Sequence, residues 1–401
     1  MTQNILIICS WLDTKTNVGI FFREQAAILE PEFIPTLVVF KRKVYSFKNI
    51  YKIKKYYNII ELKSPEKLNV LEVCYPEFTL IPDLLNKMLR DNAVNFLYSF
   101  LSKKDIKPSL IHAQSLFDAG FWAYKYCMKF NTPYIITEHN QITFLGVTPR
   151  KQLLAGTVLK NAKMKLVVSC DKIRQFGTNG YFYDFINVGN LISDEFYYNP
   201  NKEARETINI ITIGAFNPLK DQKTIFEALS MADKLIDVIK LKFTWIGFNG
   251  WGKDETENVK GFLQNYEFKN IEIELFPTME RKDIADKLNN TDLFLFSSIS
   301  EGMSVSVLEA LACGIPVFST NCGGVDEVIN ENNGKIYPIK DSYRLHQFII
   351  EYIRNPKLYN GKNISSEIIN KFGKNAFKKR ISDIYNSTIN DPRNQVIFTS
   401  N

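Results

Sequence analysis

The sequence predicts an α/β protein made of two doubly wound domains. Three observations carry that expectation. Strand-like and helix-like segments alternate from end to end of the 401 residues, the pattern of parallel sheets linked by crossover helices. Runs such as Asp292-Leu293-Phe294-Leu295-Phe296-Ser297-Ser298 are apolar at consecutive positions and end in small polar residues, as buried parallel strands do. The alternation breaks near the middle, around Asn187-Val188-Gly189-Asn190 and Tyr198-Asn199-Pro200-Asn201-Lys202, where polar and turn residues take over.

Taken in order, the first half offers strands at 5–10, 36–40, 109–113, 134–137 and 166–169, each followed by a plausible helix or a glycine-bearing loop. The break places a boundary at 190, closing an N-terminal Rossmann-like domain over 1–190. A second Rossmann-like domain, 191–375, then offers strands at 209–214, 242–247, 271–276, 292–297 and 316–319. From 342 to 389 the pattern is helical, and 376–401 is expected to form a C-terminal helix and tail that packs back on the N-terminal domain.

Composition excludes several classes. With 45% hydrophobic and 23% charged residues the chain is an ordinary globular one. Its first residues lack the basic and long apolar regions of a signal peptide, and no stretch nears the roughly 18 apolar residues of a spanning helix. The protein is therefore expected to stay in the cytoplasm. Six scattered cysteines without a C-x-x-C pair read as reduced thiols, which fits that compartment. Only three histidines and no Asp-x-Asp triplet occur, so neither a metal nor another cofactor is expected. Neither domain opens with G-x-G-x-x-G, which argues against a nicotinamide or flavin enzyme.

Charge is uneven. Residues 1–190 carry 25 basic and 15 acidic side chains, whereas the remainder is slightly acidic. The excess peaks in Phe40-Lys41-Arg42-Lys43-Val44-Tyr45-Ser46-Phe47-Lys48-Asn49-Ile50-Tyr51-Lys52-Ile53-Lys54-Lys55-Tyr56-Tyr57, with seven basic residues, six aromatics and no acid. An anionic membrane surface, nucleic acid, or plain water around a solvated helix face could each explain it. No recognised nucleic-acid module accompanies it, so nucleic acid is not expected as a partner; an anionic membrane surface is the expected one, with the protein peripheral on the inner face of the cell membrane.

The densest chemical signal is Ser300-Glu301-Gly302-Met303-Ser304-Val305-Ser306-Val307-Leu308-Glu309-Ala310-Leu311-Ala312-Cys313-Gly314-Ile315-Pro316-Val317. Glu301 falls at the C-terminal edge of the 292–297 strand, the usual place for a ligand crevice in an open α/β sheet. Ser304 is a plausible N-cap, apolar residues at 305, 308, 311 and 312 follow at helical spacing, and Gly314 with Pro316 stops the helix. Backbone N–H groups at Met303, Ser304 and Val305 would face the crevice and suit a diphosphate. Glu309, inside the helix, could present a carboxylate to ribose hydroxyls, and Glu301 could reach a sugar beyond the phosphates.

This segment resembles the E-x7-E signature of retaining glycosyltransferases of family 4, enzymes of the two-domain GT-B fold. The likeness continues through Pro316-Val317-Phe318-Ser319-Thr320-Asn321-Cys322-Gly323-Gly324-Val325-Asp326-Glu327-Val328-Ile329, which follows the family's strand, double glycine and next helix. It covers nearly the whole chain and is least specific over 45–90. It implies a cleft between facing domains, with Glu301 positioning the donor sugar and Glu309 gripping the ribose.

Other segments join by the same resemblance. Gly214-Ala215-Phe216-Asn217-Pro218-Leu219-Lys220 matches the loop in which a lysine six residues after the glycine neutralises the diphosphate, although Ala215 stands where the family commonly has arginine. Trp245-Ile246-Gly247-Phe248-Asn249-Gly250-Trp251-Gly252 and Phe276-Pro277-Thr278-Met279 resemble loops bordering the nucleotide. In Thr137-Glu138-His139-Asn140, His139 matches a histidine that contacts the donor sugar, while His112 reads as structural. Asn17-Val18-Gly19-Ile20-Phe21-Phe22-Arg23 resembles the first loop and helix, with Gly19 allowing close approach of substrate and Arg23 offered to an anionic acceptor group.

The expected activity is transfer, with retention and without a metal, of a sugar from a UDP- or GDP-sugar to a saccharide or polyprenyl-linked acceptor, in cell-surface polysaccharide synthesis. His139, Lys220 and Glu301 are its expected catalytic residues. Gly214, Gly302, Met303, Ser304, Val305 and Glu309 join Lys220 around the nucleotide. Two alternatives stay open: a sugar-nucleotide epimerase or hydrolase of the same fold, and a catalytically silent binding subunit.

Overall fold

Each half of the chain builds its own sheet. The structure is a computed structural model that describes residues 2–15, 18–140, 147–201, 206–236, 240–250 and 253–392. It divides into one unit of Met1–Val168, Ile173–Val188 and Lys378–Asn401 and a second of Ser169–Lys172 and Gly189–Phe377. Among the described residues no helix is long and apolar enough to cross a membrane.

The first unit runs β1 (Gln3–Cys9), α1 (Ile20–Ala27), β2 (Phe33–Tyr45), a 3-10 helix (Phe47–Tyr56), β3 (Asn58–Lys63), β4 (Asn69–Phe78) and α2 (Asp83–Lys103). Next come β5 (Pro108–Gln114), α3 (Phe121–Phe130), β6 (Tyr134–Glu138), α4 (Pro149–Asn161), β7 (Lys165–Val167), α5 (Cys170–Thr178) and β8 (Phe185–Asn187). Its eight-stranded sheet has the order β3-β4-β2-β1-β5-β6-β7-β8, parallel throughout except where β3 pairs antiparallel with β4. Ile5, Leu6, Ile7 and Ile8 of β1 are all buried, because this central strand is covered on both faces.

In the second unit follow β9 (Thr207–Ile213), α6 (Gln222–Asp233), β10 (Lys240–Ile246), α7 (Thr256–Leu263), β11 (Ile271–Phe276) and α8 (Arg281–Asn289). β12 (Leu293–Phe296), α9 (Val305–Ala312), β13 (Val317–Thr320), β14 (Gly334–Tyr337), α10 (Ser342–Arg354), α11 (Gly361–Phe372) and α12 (Lys374–Ile389) complete the chain. Six parallel strands lie in the order β11-β10-β9-β12-β13-β14, so the order reverses at β9 and β12, the switch point where open α/β sheets bind ligands. α10 shows the packing logic plainly. Leu345, Phe348, Ile349, Tyr352 and Ile353 recur at helical spacing and are buried in the core, while Asp341 caps the start through Arg344 N–H.

Four strands were absent from the expected set: β3, β4, β8 and β14. β3 is an edge strand of sequence Asn-Ile-Ile-Glu-Leu-Lys that leaves most of its residues exposed, so it lacks the apolar run that marks the central strands. The turn from one unit to the next has a steric signature. Gly189 sits at φ 67°, and a Cβ there would lie 2.5 Å from Cε1 of Phe372.

The C-terminal part of α12 belongs to the first unit. Tyr385 is buried there, its hydroxyl 2.7 Å from His112 Nδ1 and its ring edge-on to Phe33, and Ser382 Oγ donates to Glu32 at 2.9 Å.

Candidate active site

β12 is buried along its whole length and delivers its C-terminal end to a loop that carries Glu301. That loop is fastened to the strand next door: Glu301 N–H donates to Cys322 O at 2.6 Å, Gly324 N–H donates to Gly302 O at 3.0 Å, and Glu301 forms an isolated parallel bridge with Gly323. The double glycine is required by this contact. A Cβ on Gly323, at φ 121°, would lie 2.4 Å from Glu301 O, and one on Gly324 would lie 2.1 Å from Gly302 O. The glycines thus let two loop backbones meet, which fixes where the Glu301 carboxylate starts.

α9 then begins at Val305. Ser304 is the N-cap with extended backbone, but its side chain makes no capping hydrogen bond; its Oγ instead lies 3.1 Å from Ser306 Oγ. Met303 and Ser304 are buried, and Met303 O accepts from Asn190 Nδ2 at 2.9 Å.

Lys220 comes from the loop after β9, where Lys220 N–H donates to Asn217 Oδ1 at 3.1 Å and Lys220 O accepts from Ser297 Oγ at 2.9 Å. These bonds tie the lysine's loop to the end of β12. Its Nζ lies 2.5 Å from Glu301 Oε1, with both side chains only partly exposed, and 5.6 Å from the Phe296 ring centroid. Two residues expected at the donor site, a cation for phosphate and an anion for sugar hydroxyls, therefore hold each other. Gly214, at the end of the same strand, accepts Trp245 Nε1–H at 2.8 Å, and a Cβ there would make only ordinary contact, 3.7 Å from Lys220 Cδ. Ala215 packs on the next loop, since a Cβ on Gly250 would fall 2.3 Å from the Ala215 Cβ. Trp251 and Gly252 of that loop lie outside the described residues.

Glu309 is also engaged. Its side chain is 6% exposed, and Arg281 Nη2 stands 2.9 Å from Oε1. Burial pushes the Glu309 carboxyl up, and the Arg281 charge opposes that shift. Arg281 begins α8, lies 4.9 Å from the Phe196 ring centroid, and has Glu195 3.8 Å from its Nε. Sequence reasoning missed Arg281. A lone basic residue at a helix start carries no local mark, and its partner comes from another element.

In the first unit, the C-terminal ends of β1, β5 and β6 gather His139, Gly19 and Gln114. His139 Nε2 is 2.7 Å from Gln114 Oε1, and its ring lies 5.1 Å from Phe21 and 5.5 Å from Phe22. Gly19 caps α1 at φ 73°, with space for a Cβ refused by Trp11 O at 2.8 Å. Asn17 lies outside the described residues. Glu138, buried, accepts Leu116 N–H at 2.7 Å and Asn140 N–H at 2.8 Å, which ties the segment after β5 to the one after β6 that carries His139.

Arg23 differs from its expected role. It is buried, its Nη1 donates to Asp13 O and Thr14 O at 3.4 and 3.3 Å, and its Nε lies 3.5 Å from Glu66. It clamps the loop after β1 and presents no free charge for an acceptor. His112 is a core histidine: Nε2 meets Thr137 Oγ1 at 2.7 Å, Nδ1 meets Tyr385, and burial first, then nearby His139, lowers its pKa to about 3.

Segment 40–57 is the exposed end of β2 plus the 3-10 helix. It has acidic neighbours that its own sequence does not show: Lys41 pairs with Glu72 of β4, and Arg42 with Glu77 at 3.3 Å. The other five bases are exposed, as are Val44, Phe47 and Tyr51. Just after β4, Leu80, Leu84, Leu85 and Met88 add exposed apolar side chains, Leu80 at 95%. Among the described residues no cluster of three or more His, Cys, Asp or Glu side chains could hold a metal. Cys170 is the one exposed cysteine among the six.

Comparison with known proteins finds glycosyltransferases among the similar ones. Residues 194–378 match the family described as glycosyl transferases group 1, and this stretch contains Lys220, Arg281, Glu301 and Glu309. The chain is 23% identical over 357 residues to a Bacillus subtilis protein provisionally assigned to teichuronic acid biosynthesis as the glycosyltransferase TuaC, covering 84% of this chain and 85% of that protein. Over 112 residues, 27% of this chain and 30% of the relative, it is 31% identical to the N,N'-diacetylbacillosaminyl-diphospho-undecaprenol alpha-1,3-N-acetylgalactosaminyltransferase of Campylobacter jejuni. Among solved structures, Anabaena HepE in complex with UDP superposes with a TM-score of 0.71 over 96% of this chain and 100% of that one, at 14% identity. The fold is GT-B, with two Rossmann-like parallel-sheet domains.

Proposed function

We propose that the protein is a glycosyltransferase that moves a sugar from a nucleotide diphosphate sugar, UDP- or GDP-linked, onto a saccharide or lipid-linked acceptor. The observation that carries this reading is the Lys220–Glu301 ion pair at the C-terminal ends of β9 and β12, beside the start of α9. A ligand with both a diphosphate and sugar hydroxyls suits such a pair, because the phosphate takes the ammonium while the hydroxyls take the carboxylate. The family match over 194–378 supports the transferase class. The relatives' names, one in teichuronic acid biosynthesis and one acting on a diphospho-undecaprenol substrate, support cell-surface polysaccharide synthesis and a lipid-linked acceptor.

In this reading the bond from the anomeric carbon to the diphosphate breaks, and the leaving charge is stabilised by Lys220 and the first N–H groups of α9. Glu301 positions the sugar and favours the developing positive charge at the anomeric carbon. The acceptor hydroxyl oxygen bonds to that carbon on the face the diphosphate leaves, so configuration is retained, and its proton passes to the departing phosphate oxygen. Glu309 accepts the ribose hydroxyls, and His139 contacts the donor sugar as the resemblance implies. With Lys220 neutralising the diphosphate, the reaction needs no metal ion. The exposed bases and aromatics of segment 40–57 dock the first unit on anionic lipid. The test is release of nucleoside diphosphate from a panel of nucleotide sugars by wild type and Glu301→Ala; equal release by both would remove Glu301 from the mechanism.

A further inference from the structure

We infer that Arg281 is a positioning residue of the nucleotide site, one that holds the Glu309 carboxylate charged and turned toward the ribose hydroxyls of a bound nucleoside diphosphate. The inference rests on the proposed role of Glu309 and adds to it a residue that no sequence signature marks.

The geometry is specific. Glu309 is almost wholly buried, and an isolated carboxylate in that position would be costly to ionise. Arg281 Nη2 approaches Oε1 to 2.9 Å, yet Oε1 has no aligned hydrogen bond among the described residues. The contact is therefore ionic, and it leaves acceptor capacity on a buried oxygen. A ligand hydroxyl is the natural group to fill that capacity. Arg281 is also held by the Phe196 ring, whose centroid lies 4.9 Å from its Cζ, and by the Glu195 carboxylate 3.8 Å from its Nε. A lysine would keep the charge but not the guanidinium's contact over the Phe196 ring. Glu195 shares the guanidinium charge from 3.8 Å.

The test measures binding of UDP, GDP and their 2′-deoxy and 3′-deoxy forms by calorimetry to wild type, Arg281→Ala, Arg281→Lys and Glu309→Ala. Wild type is expected to favour the ribonucleotide by about tenfold or more, the worth of a charge-assisted hydrogen bond. Arg281→Ala should bring the ribose-to-deoxyribose ratio close to that of Glu309→Ala, while Arg281→Lys keeps part of the preference. A merely structural role would lower affinity for all the nucleotides alike and leave the ratio intact; that result, in Arg281→Ala or, if it does not fold, in Arg281→Lys, overturns the inference. Failure of the underlying reading looks different. Then Glu309→Ala itself keeps the wild-type ratio, or wild type binds none of the nucleotides, and the inference falls with it.

Discussion

At the residue scale, each motif carboxylate is paired within the second unit, Glu301 with Lys220 and Glu309 with Arg281. The two pairs should respond differently to mutation. Glu309→Ala is expected to weaken nucleotide binding and Glu301→Ala mainly to lower turnover, each by about 1.5 to 3 kcal/mol, the range for hydrogen bonds to charged groups. Binding isotherms and steady-state rates separate the two, and identical profiles for both variants would reject the division of labour. The carboxylates were legible in the sequence because strand, loop, glycines and helix lie within one continuous stretch. Arg281 and the clamping role of Arg23 were not, since both depend on partners contributed by other elements.

His112 carries a second residue-scale expectation. Its folded pKa of about 3 lies below the ordinary 6.5, so the unfolded chain binds the extra proton between those values. The stability this buried neutral histidine contributes is complete above pH 6.5 and is lost as pH falls toward 3. Each pH unit inside the window is worth at most about 1.4 kcal/mol. Unfolding midpoints of wild type should therefore drop on going from neutral pH into that window, and the drop should be smaller in His112→Gln. An equal drop in both would assign the acid sensitivity to other groups.

At the element scale, the central strands were readable because they are apolar at consecutive positions, whereas β3 was not, being a polar edge strand defined by its pairing with β4. The same missing strands hid the true charge of segment 40–57, because Glu72 and Glu77 of β4 neutralise Lys41 and Arg42. The bases left for an anionic surface are Lys43, Lys48, Lys52, Lys54 and Lys55. Each is worth about 1 kcal/mol near such a membrane. Reversing Lys43, Lys48, Lys52 and Lys55 to glutamate should abolish sedimentation with anionic vesicles at low salt, while leaving nucleotide binding by the second unit unchanged. Wild type that ignores such vesicles would make the segment a solvated face and favour a soluble acceptor.

For the whole molecule, two sheets that are parallel but for the β3 edge, with central buried strands, follow from the alternating apolar runs, and the second sheet's reversal of order at β9 and β12 explains why Lys220 and Glu301 meet. If lysine and helix N–H groups hold the diphosphate, turnover should survive EDTA and collapse in Lys220→Ala; loss with EDTA that manganese restores would place a metal in that role instead. The most direct measurement is nucleoside diphosphate release from a full panel of UDP- and GDP-sugars, with and without an added saccharide or polyprenyl-linked acceptor. At least one sugar is expected to be turned over, faster with acceptor than without, and Glu301→Ala should suppress that release. No turnover of any nucleotide sugar, or donor consumption indifferent to every acceptor and to Glu301, would contradict a glycosyltransferase.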